Sequence, residues 1–409
     1  MVRGPANGVR ESEVLIVGGG IAGATTAYYL ARQGRDVALV ERGEIASEAS
    51  GVNAGQIGAT GWGEIPDLAS YLTMGSLQLF KELQLDLGYD IEFRQSGSLT
   101  AIHTSEQYDY MRDRVLEMRS QGFEVELLTT REARAMEPGA NPNLLGFMYT
   151  PLRAQADPVK ATRAFADAAV KSGARIFTNH AVSGITPLTE GGYSIETDRG
   201  EFVSESLVMA AGAWCGPLGR MLGLDIPIVP VRGQMWATES LPPSVFQTQS
   251  SAESAYTWSV NDGADSDTPP DLTHKGGTRV TRHLYGRQRR NGEIIFGGDR
   301  QMTGYDKAVE HTGIEVNKGH ASEVIPMLSG LPIARTWSGL MPFSMDGAPI
   351  IGRIPSRENL YIVSGLASSG FGRGPMAGKL LADFIHTGHR PQVLSESDPG
   401  RCVTESVAL

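Results

Sequence analysis

The chain's 409 residues exceed what one average core supports and imply about two domains. A net charge of −10 argues against nucleic acid or an anionic membrane as main partner, and the only cysteines, Cys215 and Cys402, lie far apart without a C-x-x-C, so neither a disulfide framework nor a zinc ribbon is indicated, and no metal is expected. Met1 to Ser12 has no apolar signal core and no apolar run is long enough to span a bilayer, which reads as a cytoplasmic protein without a transmembrane segment, peripheral membrane contact remaining open.

The chain opens on Val14-Leu15-Ile16-Val17, an apolar run bounded by glycines that reads as a buried strand. Ile21 to Arg32 has helical spacing, and Val37 to Val40 is a second strand ending at Glu41 and Arg42. Gly18, Gly20 and Gly23 fill the G-x-G-x-x-G pattern: one glycine for the turn, one for close approach of a pyrophosphate, one for helix against strand. The free amides where the helix starts, at Ile21 and Ala22, then face the anion. Glu41 stands where a carboxylate accepts hydrogen bonds from a ribose diol. Strand, turn, helix, strand and acid together make a dinucleotide site.

Gly43 to Gly58 follows as a loop of small residues without hydrophobic period, which includes Ser50, Gly51, Asn53, Ala54, Gly55, Gln56 and Ile57 and lets backbone approach an extended ligand. Helices are expected over Asp67 to Leu87, Glu106 to Gly122, Arg131 to Glu137 and from Pro158 to Lys171, with Pro158 at the first helical position. Strands are expected within Ile91 to Ile102, at Gly146 to Tyr149, Ala174 to Phe177 and Ala181 to Ile185. Phe202 to Met209 is a strand running into Ala210-Ala211-Gly212-Ala213-Trp214, and small residues at a strand's carboxyl end mark a second visit to the ligand.

From Ile226 to Ile295 the pattern turns to strands and hairpins: Val229 to Thr238 and Val280 to Tyr285 alternate, and Arg290-Asn291-Gly292 is a hairpin turn before Ile294-Ile295-Phe296. The basic run Arg287-Gln288-Arg289-Arg290 reads as a solvated loop, and Asp262 to Lys275 as an exposed insertion. Trp337-Ser338-Gly339-Leu340-Met341, Asp346 to Gly352, the strand Leu360 to Val363 and the glycine-rich turn Gly365 to Gly372, with Ser369, Gly370, Phe371 and Gly372, make a third visit before a helix from Pro375 to His386. The expected architecture is α/β, α+β overall, with a Rossmann-like domain of residues 1–90, 150–225 and 331–409 and a discontinuous, β-sheet-rich substrate domain of residues 91–149 and 226–330.

These motifs, in this order over nearly the whole chain, resemble the D-amino acid oxidase family of flavoproteins, which includes glycine oxidase, sarcosine oxidase and D-amino acid dehydrogenase; the Asn53 to Ile57 loop looks most like the last. The resemblance implies non-covalent FAD, with pyrophosphate at Gly18 to Gly23, ribose on Glu41, adenine near Val182, and the flavin among Ala54, Gly55, Gln56, Gly339, Met341 and Gly370 to Gly372. It implies hydride transfer from the carbon beside an amine nitrogen to flavin N5, giving an imine that hydrolyses, with O2 or a quinone or other carrier as electron acceptor. The substrate is expected to be a D-amino acid, a secondary amine or an imino acid, and no oligomeric state is implied.

The chain also departs from the family. Where amino-acid oxidases place a carboxylate-binding arginine after Trp-x-Gly-Leu, it has Met341; around Ser368 it lacks the arginine of glycine oxidase, and near Phe296 to Asp299 it lacks a lysine. Either a relocated cation among Arg282, Arg287, Arg289 and Arg373 holds the carboxylate, or a less acidic amine packs over Met341. Tyr285 matches the glycine oxidase tyrosine that faces substrate, and His283 lies two residues earlier; with Met341 they are the catalytic candidates. A 2-hydroxy acid dehydrogenase and a flavin-binding subunit of a heteromeric dehydrogenase are the alternatives.

Overall fold

The computed structural model describes residues 9–260, 267–355 and 357–406. They form two compact units, one of residues up to Gly51, Val159–Val229 and from Pro342 on, the other of Val52–Pro158 and Pro230–Met341.

In the first unit the sheet path runs Ile350–Arg353, Leu360–Ser364, Gly200–Met209, Arg10–Val17, Val37–Val40, Arg175–Phe177, parallel except at its Ile350–Arg353 edge. Val17 pairs with both Val40 and Met209, and Met209 with Ile362, so the carboxyl ends of four strands share one edge. Val14, Leu15 and Ile16 are wholly buried, as strands covered on both faces require. The Ile21–Arg32 helix is buried from Ile21 to Ala31 because the Gly370–Thr387 helix lies against it through Gly374 and Gly378. A Cβ on Gly374 would stand 2.5 Å from Ile21 Cγ2, and one on Gly378 2.6 Å from Ala22 O. That second helix begins at Gly370, five residues before the expected Pro375, so Gly370 to Gly372 are its first turn and not a loop.

The second unit is a mainly antiparallel sheet, in the order Gln301–Met302, Ile228–Ser240, Glu293–Gly297, Tyr285–Gln288, Thr248–Ser251, Ser98–Ile102, Gly146–Thr150, Glu126–Leu128, with Arg335–Ser344 also pairing to Ile228–Ser240. Alternation divides its faces. Leu99, Ala101, Phe147, Trp236, Ile294 and Phe296 form a core with the His311–Val324 helix, while Met235, Ala237 and Ile295 point the other way and pack with Ala54.

Several details depart from the sequence reading. Residues 52–90, 150–158 and 331–341 group with the second unit, and 226–229 with the first. The reason is a set of ties within the second unit: Gln56–Ile57 pairs with Ala154–Gln155, Glu124 N donates to Thr60 O (3.1 Å), and Trp337 Nε1 donates to Val52 O (2.7 Å). Residues 280–284 are not a strand, which starts only at Tyr285; side chains satisfy this backbone instead, Asn317 Nδ2 donating to His283 O (3.2 Å) and Arg282 N to Glu253 Oε1 (3.1 Å). Within Ile91 to Ile102 only Ser98–Ile102 is a strand, Arg94 forming a lone bridge to Gln155. The helices Glu253–Val260 and His311–Val324 lie in stretches the sequence reading assigned to strands or left unassigned. Of the expected exposed insertion, residues 262–266 lie outside the described residues, and Leu272, Thr273 and His274 are buried, Thr273 O accepting from Val280 N and Trp258 Nε1 reaching Leu272 O (2.8 Å).

Arg287 is not in a solvated loop either. The residue is 2% exposed, and its guanidinium donates to Ala54 O, Gln155 Oε1 (3.0 Å) and Ala156 O (2.9 Å). Burial brings its pKa down to about 10, so the group stays charged at neutral pH. Replacing it by methionine keeps the volume but strands buried acceptors, for an expected loss of roughly 3–5 kcal/mol. Thermal unfolding of Arg287→Met against wild type measures this; an unchanged midpoint would remove the clamp.

Candidate active site

The nucleotide residues of the first unit gather at the carboxyl edge of its parallel sheet, where open α/β sheets bind ligands. Gly18 turns the chain at φ +119°, and a Cβ there would lie 2.5 Å from Ala210 O, so the ends of the first strand and the Gly200–Met209 strand meet with no room for a side chain. A Cβ on Gly23 would stand 2.1 Å from Gly18 O. Glu41 accepts from Gly19 N at Oε2 (2.7 Å) and from Gly43 N at Oε1 (2.8 Å), which fixes its carboxylate beside the turn. Ser50 Oγ accepts from Ile21 N (2.9 Å), placing the Gly43 to Gly51 loop over the helix start; a Cβ on Gly20 would lie 3.0 Å from that oxygen, and one on Gly51 1.9 Å from Ala46 O.

Arg42 stacks on the Trp214 ring at 3.7 Å and pairs with Glu48. Val182, Phe177 and Ala211 each pack against the core, Gly212 opens the short helix to Trp214, and Ser369 precedes the Gly370–Thr387 helix with Phe371 buried and Gly372 behind it. The structure thus brings Gly18 to Gly23, Ile21, Ala22, Glu41, Ser50, Ala211 and Gly212 to one edge. The orphan amides at a helix start, the missing Cβ atoms and a held carboxylate fit the pyrophosphate and ribose of a dinucleotide.

The remaining candidates lie in the second unit. Asn53 Oδ1 accepts from Gly55 N (2.7 Å), Gly55 adopts φ +72° where a Cβ would meet Ala156 O at 2.0 Å, and Gln56 Nε2 donates to Gly286 O (3.1 Å). Ala54 and Ile57 are buried. Gly339 and Met341 lie on the Arg335–Ser344 strand, and Met341 Cε sits 3.1 Å from where a Cβ of Gly233 would be.

On the same sheet face stands Tyr285, paired across the sheet with Ser250 and Gly297 and with its ring 5.7 Å from that of His283. Burial raises the Tyr285 pKa, so its hydroxyl stays a donor. His283 Nδ1 is 2.7 Å from Ser254 Oγ, and Nε2 is 3.1 Å from Arg300 Nη2. A guanidinium only donates, so Nε2 accepts and the proton sits on Nδ1. Burial, then Arg300 and His320, hold His283 well below the ordinary histidine pKa.

Arg300 was not among the sequence candidates. It is 8% exposed, donates to Asp271 O (3.1 Å), lies over the Trp258 ring at 4.7 Å, and its Nε has no partner. Among the described residues no carboxylate forms an ion pair with it: Asp271 acts on it only from beyond ion-pairing distance, and its neighbour Asp299 is already paired with Arg279. The proposed anchors are committed elsewhere: Arg282 to Glu253 and Glu323, Arg289 to Asp157 and Glu293, Arg287 to backbone carbonyls, while Arg373 belongs to the first unit. The available signal was position, since Gly297-Gly298-Asp299-Arg300 leaves the strand that pairs with Tyr285.

The family described as DAO, FAD dependent oxidoreductase, matches residues 13–384. Glycine oxidase of Geobacillus kaustophilus is 28% identical over 91% of this chain and 92% of its own, and its crystal structure superposes with a TM-score of 0.81 at 26% identity, covering 95% of this chain and 98% of that one. Mitochondrial dimethylglycine dehydrogenase of Mus musculus is 27% identical over 96% of this chain and 44% of its own. The structure of L-proline dehydrogenase from P. horikoshii superposes with a TM-score of 0.80 at 25% identity, over 96% and 98% of the two chains. No helix among the described residues is long and apolar enough to cross a membrane.

Gly23→Ala would drive a methyl carbon into Gly18 O and open the turn. The expected product is a folded chain purified without its dinucleotide, read as loss of the ligand's absorbance; full retention would contradict the site.

Proposed function

The chain belongs to the DAO family of FAD-dependent oxidoreductases, and from that premise we propose that it oxidises the C–N bond of an amine carrying a carboxylate, an amino or imino acid, to an imine that hydrolyses in water. The observation that carries the reading is Arg300, a buried guanidinium without a carboxylate partner beside His283 and Tyr285. A buried charge left unpaired is costly. A bound carboxylate would complete it, and Arg300 takes the part that the family's arginine would play at Met341. Glycine oxidase, dimethylglycine dehydrogenase and L-proline dehydrogenase are named for amines that each carry a carboxylate.

FAD, when bound, accepts the hydride at N5. The protein's contribution is orientation. Arg300 holds the carboxylate, the Tyr285 hydroxyl donates to it, and Met341 offers an apolar wall in place of a second cation. His283 is a positioning residue: its Nε2 lone pair is taken by Arg300, so it fixes the guanidinium and moves no proton. The substrate nitrogen must therefore shed its own ammonium proton to water, freeing the lone pair that forms the C=N bond as the adjacent carbon gives up hydride. Its depressed pKa keeps His283 neutral from pH 7 to pH 8. Over that range kcat/KM should rise with pH along the substrate ammonium alone, and a second inflection that vanishes in His283→Asn would contradict this.

A 2-hydroxy acid presents the same carboxylate, so the test must read the leaving nitrogen. Anaerobic bleaching of the bound flavin across amino acids, N-methyl amino acids, cyclic imino acids, their decarboxylated counterparts and 2-hydroxy acids should succeed with carboxylated amines, releasing ammonia or amine. Bleaching by the decarboxylated amines alone would sink the reading. Reoxidation by air or by a quinone then identifies the acceptor. Arg300→Met should raise KM for the best substrate roughly 10²-fold to 10³-fold, the loss of one or two charge-assisted bonds, with partial recovery in Arg300→Lys.

A further inference from the structure

A second cluster of ionisable side chains lies on the other face of the second unit's sheet, unused by the reaction above. His320 and Glu323 stand three residues apart on the His311–Val324 helix and so share one side of it. His103 follows the Ser98–Ile102 strand, and Glu253 opens the Glu253–Val260 helix. One ligand atom each from His103, His320 and Glu323 lies within 4.8 Å of the others. His103 Nδ1 is 3.8 Å from Glu323 Oε2, and His320 Nε2 is 3.8 Å from Glu253 Oε2.

His320 is wholly buried, yet neither of its ring nitrogens has a hydrogen-bond partner, and His103 Nε2 has none. Buried polar atoms are nearly always satisfied, so His320, wholly buried and bare at both nitrogens, points to a missing electrophile, which would take one nitrogen of each ring: Nε2 of His320 and Nδ1 of His103 are the ones that face carboxylates. Arg282 pairs with both carboxylates. Two carboxylates and one guanidinium still leave one net negative charge, and a carboxylate oxygen can face a guanidinium and a cation at once.

We propose that His103, His320 and Glu323, with Glu253 as fourth ligand, bind one divalent transition-metal ion of the Zn2+ type. Two nitrogens and two carboxylate oxygens suit borderline metals and disfavour Mg2+ and Ca2+, which take oxygen ligands. Tetrahedral bonds of about 2.0–2.2 Å set neighbouring ligand atoms about 3.4 Å apart, so the facing pairs at 3.8 Å close by a few tenths of an ångström, while the wider pairs, as far as 4.8 Å apart, and Glu253, which faces only His320, must move by more. Half-exposed Glu323 gives the route in.

The ion would brace the active site from behind. Glu253 adjoins Ser254, whose hydroxyl bonds His283, and Asn317 on the helix of His320 donates to His283 O. Metal binding thus ties together the two helices that hold His283, independently of which substrate is oxidised.

The test uses tag-free holoenzyme, stripped with a chelator and titrated with ZnCl2 by calorimetry. One equivalent should bind and raise the thermal midpoint, and MgCl2 should not substitute. His320→Gln and Glu323→Gln should each weaken Zn2+ binding at least about 10-fold. Because the Glu323 side chain is 45% exposed, its variant tests the site even if His320→Gln fails to fold. Absence of saturable Zn2+ binding, equal binding of Mg2+, or undiminished affinity in Glu323→Gln would each overturn the proposal.

Discussion

The buried guanidinium of Arg287 is the interaction on which the second unit's working face depends. Backbone carbonyls cannot be left dry and unpaired, and the loop of Val52 to Ile57 has no hydrophobic pattern of its own to hold it down. Arg287 resolves both problems by gathering Ala54 O and Ala156 O with the Gln155 side chain. Gly55 follows necessarily, because a Cβ there would collide with Ala156 O and with the guanidinium itself. Gln56, reaching Gly286 O, fastens the next residue of the loop to the strand that carries Tyr285.

Arg300 is the counterpart of Arg287. Both are buried cations, but the donors of Arg287 are engaged by carbonyls and a side-chain amide, while those of Arg300 meet one carbonyl, a neutral imidazole and an aromatic face, with Nε left over. The first is a structural clamp and the second is arranged for an anion. His283 shows how the difference is maintained: its Nδ1–H donates to Ser254 Oγ, Nε2 is left as an acceptor toward the guanidinium, and the low pKa of the ring spares Arg300 a like charge. In the first unit the same logic applies to a carboxylate, since Glu41 is held by two backbone amides rather than by a cation.

Much of this was legible in the sequence because it is local. The strand, glycine turn and helix of Val14 to Arg32, the position of Glu41, the helix opening at Pro158 and the hairpin at Asn291-Gly292 each rest on side-chain periodicity or on backbone conformations that few residues tolerate. The helix at Gly370 began earlier than its proline suggested, so that Gly370 and Gly372, expected in the turn, lie in its first turn, ahead of Gly374 and Gly378 that contact another helix. Residues 280–284 alternated like a strand but found their backbone partners in Glu253 and Asn317.

By itself, then, the sequence determined the dinucleotide fold and the family resemblance, which follow from short-range steric rules at Gly18, Gly20 and Gly23 and from motifs in order. Only the tertiary structure decided what each charge is for. Whether an arginine is a surface charge, a clamp or an anchor depends on which acceptors the folded chain brings within three ångströms of it, and those of Arg287, Arg289 and Arg300 lie as many as 233 residues away along the chain.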